Sequence, residues 1–149
     1  MSPIILHDSP LRIATFNVGC AFKRKLPDIL ARCTSLTLDI VALQEIGDPA
    51  ILASSLAHHF LIFAPGPSNN KAGVGLLIAH ELAPQCRAYM RSSGGRLVGA
   101  VQELTRGHRT LVVSAYMPTG LDHLAASSDT VQEAHDLYAE FERWTVCVH

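Results

Sequence analysis

Glu45 is a lone carboxylate at the end of the apolar run Asp39-Ile40-Val41-Ala42-Leu43-Gln44, and it is the residue of this chain best placed to do chemistry. Asn17 stands in the same relation to the run Leu11-Arg12-Ile13-Ala14-Thr15-Phe16. Both runs read as buried strands. Each therefore delivers a polar, oxygen-bearing side chain where a rigid element meets an open edge, which is where α/β folds build their sites. A carboxylate there can hold a hard cation such as Mg²⁺, and an amide can orient an oxygen of a bound phosphate. Taken singly, each residue reads equally well as an ordinary strand terminator. Together they mark a candidate site.

The elements that must position these groups are legible as alternating apolar runs and turn residues. Leu11 to Asn17 reads as a first strand, and Pro27 to Leu38 as a helix with Ile29, Leu30, Cys33 and Leu36 near one face. Asp39 to Gln44 is apolar without alternation, which predicts a strand covered on both faces. A short helix is predicted over Pro49 to His58, with Asp48 as its cap, Pro49 in its first turn and His58-His59 at its end. Further strands are expected over Phe60 to Ala64, Ala72 to Ala79, Gln85 to Arg91, Arg96 to Leu104 and Arg109 to Tyr116. The Gly73-Val74-Gly75 triplet is not followed by a helix, so it reads as close packing against a neighbouring chain rather than a phosphate loop. The last helix runs from about Asp129 to Thr145. Thr130 and Glu133 fit a capping box, and Val131, Ala134, Leu137, Tyr138, Phe141 and Trp144 form its apolar stripe. This order predicts a mixed sheet with helices packed on its face.

Composition narrows the class. The 149 residues suffice for one domain with its own core, and 48% are hydrophobic against 17% charged. Twelve basic and 13 acidic residues give a net charge of -1, without the basic excess of a pure nucleic-acid-binding module. Lys23-Arg24-Lys25 is the dense positive cluster, and it reads as a solvated helix start. The four cysteines lack zinc or C-x-x-C spacing and read as reduced thiols of an intracellular protein, cytoplasmic or nuclear. No stretch has the length to cross a bilayer, and the N-terminus lacks the marks of a signal peptide.

Four short motifs occur in order: Thr15-Phe16-Asn17-Val18, Asp39 to Glu45, Gly73-Val74-Gly75-Leu76-Leu77 and Ala115-Tyr116-Met117-Pro118. Together they resemble the first motifs of the endonuclease/exonuclease/phosphatase superfamily, the fold of pancreatic-type deoxyribonuclease and abasic-site endonucleases. The segment from Arg96 to Leu104 is similar to a strand that often opens with Gly-Arg in those proteins. The resemblance covers residues 11 to 145, after an N-terminal extension over 1 to 10. It implies an α/β (α+β) fold, namely a partial β-sandwich with flanking helices corresponding to the first half of the family's four-layer domain, with the second sheet coming largely from the absent half. It also implies a Mg²⁺- (or Mn²⁺-) dependent phosphodiesterase or phosphatase. Glu45 would be the metal-binding glutamate and Asn17 the residue supporting the metal and phosphate site. Tyr116 would place its hydroxyl near the scissile phosphate.

The chain departs from the family pattern in ways that bear on activity. Thr119 stands where DNA-cleaving members often carry asparagine, and the family's Gly-Asp-x-Asn and Ser-Asp-His motifs do not occur. Ser128-Asp129 is followed by Thr130 and opens a helix, so it does not map onto the last of these. Loss of such general acids and bases costs roughly two to four orders of magnitude each. The expectation is therefore a truncated, weak or inactive domain of the endonuclease branch, with similarity around Tyr116 to Gly120 to retroelement endonucleases. A catalytically dead remnant serving as an interaction module is the alternative. A phosphatase of small phosphoesters is another, which the near-neutral charge favours over DNA. Asp122 and His123 are the nearest candidates to replace a missing base. Loss of the second half predicts self-association through an exposed apolar sheet.

Overall fold

The structure, a computed structural model, describes residues 10–49, 56, 58–67, 72–92, 94–105, 107–118 and 128–146. Strand β1 (Ile13–Asn17) leads into helix α1 (Phe22–Ser35), then come β2 (Ile40–Gln44), β3 (His59–Ala64) and β4 (Val74–Ala79). A 3₁₀ segment (His80–Gln85) follows, then β5 (Cys86–Arg91), β6 (Leu97–Thr105), β7 (His108–Ala115) and helix α2 (Ser128–Val146). The strands form two sheets, one ordered β1-β2-β4-β3 and one ordered β5-β6-β7. β1 runs parallel to β2, and every other pairing is antiparallel.

Alternation along β2 explains the layering. Ile40 and Ala42 point between the sheets, where they meet Leu76, Ile78, Leu82, Val98 and Ala100. Val41 and Leu43 point the other way, onto Phe22, Leu26, Ile29 and Cys33 of α1. A strand apolar from Ile40 to Leu43 is thus buried on both faces, as its sequence predicts, and each fully buried leucine or isoleucine contributes about 1.5–3 kcal/mol. On the far side, Leu97, Met90, Leu111 and Val113 receive Leu137 and Trp144 of α2. Gly99 leaves the space for that tryptophan, since an added Cβ would lie 3.2 Å from its ring. The order of layers is helix, sheet, sheet, helix.

Several expectations need correction. The second sheet is not left to an absent half: β5 to β7 supply it from this chain and cover the inner face of β2, β3 and β4. Apolar exposure in the first sheet is instead found at its edge strand β1, where Ile13 and Phe16 are 51% and 44% exposed. Helix α1 starts at Phe22, with Pro27 inside it. The Arg24 and Lys25 amides already close a turn on the Ala21 carbonyl, and burial of Phe22 and Leu26 outweighs the hydrogen bond that proline forfeits. Leu36 lies beyond the helix end and is exposed. His59 does not end a helix but opens β3, its Nε2 2.9 Å from the Leu38 carbonyl oxygen. The rest of the helix expected over 49–58 falls largely outside the described residues. Helix α2 begins at Ser128, so Thr130 is not its cap, and its stripe narrows to Ala134, Leu137 and Trp144. No helix among the described residues is long and apolar enough to cross a membrane.

Backbone packs on backbone where the two sheets meet below the strand ends. The amides of Ile46 and Gly47 donate to Gly73 and Ala72, Gly66 donates to Gly47, and Gly73 donates to Gly95. Gly73 has φ +97°, and a Cβ on it would run into the Gly47 carbonyl. Gly95, at φ +70°, lies against Pro65 and comes within 2.8 Å, measured from an added Cβ, of the Gly66 Cα. The close-packing reading of the Gly73–Gly75 triplet therefore holds. We expect Gly73→Ala to destabilise the fold by about 3 kcal/mol or more, combining backbone strain with a clash that neither chain can relieve. Gly107→Ala has φ +82° but nothing within 4 Å of the new Cβ. It should cost only about 1–2 kcal/mol. Urea midpoints of the two variants check the contrast, and equal losses would contradict the junction.

Candidate active site

Parallel pairing brings the ends of β1 and β2 together. Asn17 sits opposite Gln44, and the chain reaches Glu45 one residue later. Both strands then turn sharply. Glu45 has φ 56°, and Gly19, Cys20 and Ala21 have φ values of 60°, 73° and 57°. Left-handed backbone costs a non-glycine residue about 1–2 kcal/mol. Of the described non-glycine residues that adopt it, Cys20, Ala21 and Glu45 lie in this corner and Thr37 lies elsewhere. The strain is held by hydrogen bonds from Val18 N to the Gln44 carbonyl at 2.9 Å and from Cys20 N to the Glu45 carbonyl at 3.3 Å. Strain of this kind concentrates at functional sites.

The side chains converge in the same corner. The Asn17 amide donates through Nδ2 to Glu45 Oε1 at 3.0 Å, and its Oδ1 accepts from the Gly19 amide at 2.9 Å. The second contact fixes which way the amide faces, because a backbone N–H needs the oxygen. Tyr116, just past the end of β7, sets its hydroxyl beside the Glu45 carboxylate. Burial first, and then the negative charge and hydrogen bond of Glu45, raise the Tyr116 hydroxyl above the ordinary tyrosine range; Arg96 opposes this and Cys20 adds to it. A hydrogen-bonded bridge joins the sheets behind these groups. Gln44 Nε2 donates to Ser114 Oγ at 3.2 Å, and Ser114 donates to the Leu43 carbonyl at 2.8 Å. A cleft of about 320 Å³ lies alongside, lined by Cys20, Lys23, Ile46 and Asp48 among others and not by Asn17, Glu45 or Tyr116 themselves.

Asn17, Glu45 and Tyr116, chosen from sequence as the candidate site, are therefore brought into one hydrogen-bonded group. Glu45 is half-buried and uses one carboxylate oxygen for Asn17. A carboxylate has about four lone-pair directions, so capacity remains for a cation. Among the described residues, no three His, Cys, Asp or Glu side chains cluster as a metal cage. Glu45 is the one carboxylate in this hydrogen-bonded group, the lower limit of the one or two that Mg²⁺ takes together with water and substrate oxygens. Asp122 and His123 lie outside the described residues. Sequence reasoning missed Arg96, whose guanidinium carbon lies 5.1 Å from the centre of the Tyr116 ring, and its partner Glu133. It also missed Gln44 and Ser114. The Gly-Arg pair at the start of β6 was the available signal for Arg96, and nothing local marks the others.

Two stacked sheets lie between helices, with polar strand ends gathered at one corner, and in fold this arrangement is like that of a solved endonuclease. In particular, the chain is similar to the crystal structure of the AP endonuclease LMAP from Leishmania major, with a TM-score of 0.59 at 16% identity. The match covers 72% of this chain and 40% of that one, so the chain spans about two fifths of that enzyme. No family model and no curated protein matches the sequence.

The raised Tyr116 hydroxyl gives a test of the geometry. Its neutral form is favoured by folding, so its contribution to stability is complete below the ordinary tyrosine value of about 10 and is lost as pH rises through the raised value. In metal-free buffer, Glu45→Gln removes the neighbouring charge and should bring the Tyr116 titration back down, though not fully, because burial remains. Carbon-13 NMR of labelled tyrosine rings reads this directly. An unchanged titration would place the hydroxyl somewhere other than on Glu45.

Proposed function

We propose that this chain carries a Mg²⁺-dependent phosphoester hydrolase site of the endonuclease/phosphatase type, with Glu45 as its centre. The observation that carries the reading is the convergence of Asn17 and Tyr116 on the Glu45 carboxylate from the ends of separate strands. A structural strand terminator has no need of two partners and a left-handed backbone.

In this reading Glu45 holds the cation, with Asn17 fixing the carboxylate's rotation through Nδ2 while the Gly19 amide fixes Asn17. Mg²⁺ (or Mn²⁺) held there would supply charge that polarises the phosphoryl oxygens. Tyr116, kept protonated by its surroundings, moves its hydrogen bond from Glu45 to a phosphoryl oxygen as negative charge develops there. Arg96 adds a fixed positive charge beside the tyrosine. Water then attacks phosphorus, and the ester oxygen leaves with the electron pair of the broken P–O bond and takes a proton from solvent. The residue that takes the water's proton is not assigned among the described residues, and Asp122 and His123 are the candidates to vary.

The net charge of -1 favours a small phosphoester over a long nucleic acid, since polyanion binding draws on a positive surface. Purified protein should hydrolyse bis-p-nitrophenyl phosphate or p-nitrophenyl phosphate with Mg²⁺, slowly, and plasmid DNA no faster. Glu45→Gln should lower the Mg²⁺-dependent rate by about 10² or more while keeping the thermal midpoint close to wild type. A folded wild-type protein without Mg²⁺-dependent turnover, or with turnover that survives Glu45→Gln, would sink the reading. It would instead favour a remnant of the fold that serves as an interaction module.

A further inference from the structure

Arg96 follows Gly95, the residue clamped against Pro65 and Gly66, and it precedes the first residue of β6. Its main chain is therefore fixed by the glycine junction. From there it engages Tyr116 in several ways. The Arg96 carbonyl accepts the Tyr116 amide at 2.9 Å. Its Nη1 donates to the Tyr116 carbonyl at 3.4 Å. Its guanidinium lies over the tyrosine ring, 5.1 Å from the centroid. Its Nε donates to Glu133 Oε1 on α2 at 3.0 Å.

This ion pair differs from a common surface pair. The Arg96 side chain is 20% exposed and that of Glu133 43%, so the arginine end is shielded while the glutamate end is wet. Exposed pairs add little to stability. Orientation is another matter, because a guanidinium stacked on one ring and bonded through Nε to a carboxylate has few alternative poses. Lysine supplies a charge but neither the plane nor the fork. The contact also ties α2, which packs through Leu137 and Trp144 on the outer face of the second sheet, to the corner where Glu45 sits.

We propose that Arg96 is a positioning residue for Tyr116 and that its ion pair with Glu133 makes helix α2 part of the site. The proposal rests on the reading above, in which the Tyr116 hydroxyl acts on a substrate phosphoryl group. A hydroxyl that must meet one oxygen works only if its ring is held, and misplacement by about 1 Å can cost on the order of 10²-fold in rate. Arg96 holds the ring from the face, while the carboxylate of Glu45 holds its far end.

The test uses Arg96→Met, Arg96→Lys and Glu133→Gln in the full chain. Kinetics on bis-p-nitrophenyl phosphate with Mg²⁺ are combined with NMR of ¹³C-labelled tyrosine rings without metal or substrate. Arg96→Met should lower kcat by about ten- to a hundredfold with KM within about twofold, and it should shift the Tyr116 ring signals. Arg96→Lys should fail to restore either, because charge alone does not hold the ring. Glu133→Gln should show the same split in milder form. A raised KM with unchanged kcat would overturn the proposal by making Arg96 a substrate-binding group, and full rescue by lysine would overturn it by making charge sufficient. If the wild type proves inactive, the NMR arm still decides. Tyr116 signals that move in Arg96→Met while those of Tyr89 stay put support the positioning role, and unmoved Tyr116 signals contradict it.

Discussion

Everything at the polar corner depends on backbone packed directly against backbone at Gly47, Gly66, Gly73 and Gly95. Side chains there would separate the strands by several ångströms, and an added Cβ at Gly66 would already lie 2.5 Å from the Ala72 carbonyl carbon. The junction joins the first sheet to the second through the Gly73 to Gly95 hydrogen bond. It also fixes what flanks it in sequence. Glu45 precedes Gly47 by two positions, and Arg96 follows Gly95 directly. The two residues that meet Tyr116, one at its hydroxyl and one at its ring, are therefore launched from the same rigid point. Ordering glycine is costly because it loses more conformational freedom on folding than other residues. Its use here exchanges some stability for precise placement.

A second constraint is the parallel pairing of β1 with β2, the exception among the described strands, whose other pairings are antiparallel. Parallel strands end on the same side, so both terminal side chains face one opening. Asn17 and Glu45 would lie at opposite ends in a hairpin. The polar bridge from Gln44 to Ser114 closes the sandwich behind them. The fold is thus rigid where the site is built. At the edge of the first sheet, where β1 pairs with β2 alone among the described residues and exposes Ile13 and Phe16, it remains open.

Much of this was legible in the amino-acid order. The continuous apolar run before Glu45 announced a strand covered on both faces, and alternation of Ile40 and Ala42 with Val41 and Leu43 is how that cover is divided. The strand ends also named Asn17 and Glu45 together, because period and punctuation are local signals. What was not legible depended on distant parts of the chain. Pro27 looked like a helix start, and only burial of Phe22 and Leu26 beneath it shows why the helix begins earlier. Glu133 looked like half of a capping box, yet its carboxylate is committed to Arg96, 37 positions away. The second sheet was expected from outside the chain. Three consecutive antiparallel strands carry no mark of the face on which they will stack.

The central claim is that Glu45 is a cation-holding carboxylate supported by Asn17 and Tyr116. The most direct measurement is paramagnetic broadening by Mn²⁺ of the protein's own NMR signals, which needs no turnover. The account predicts broadening of the amides from Val18 to Cys20, those of Ile46 and Gly47, and the Tyr116 ring, all abolished by Glu45→Gln. Broadening that persists in Glu45→Gln, or that centres on Asp39, His58 and Glu81 at the opposite strand ends, would contradict it.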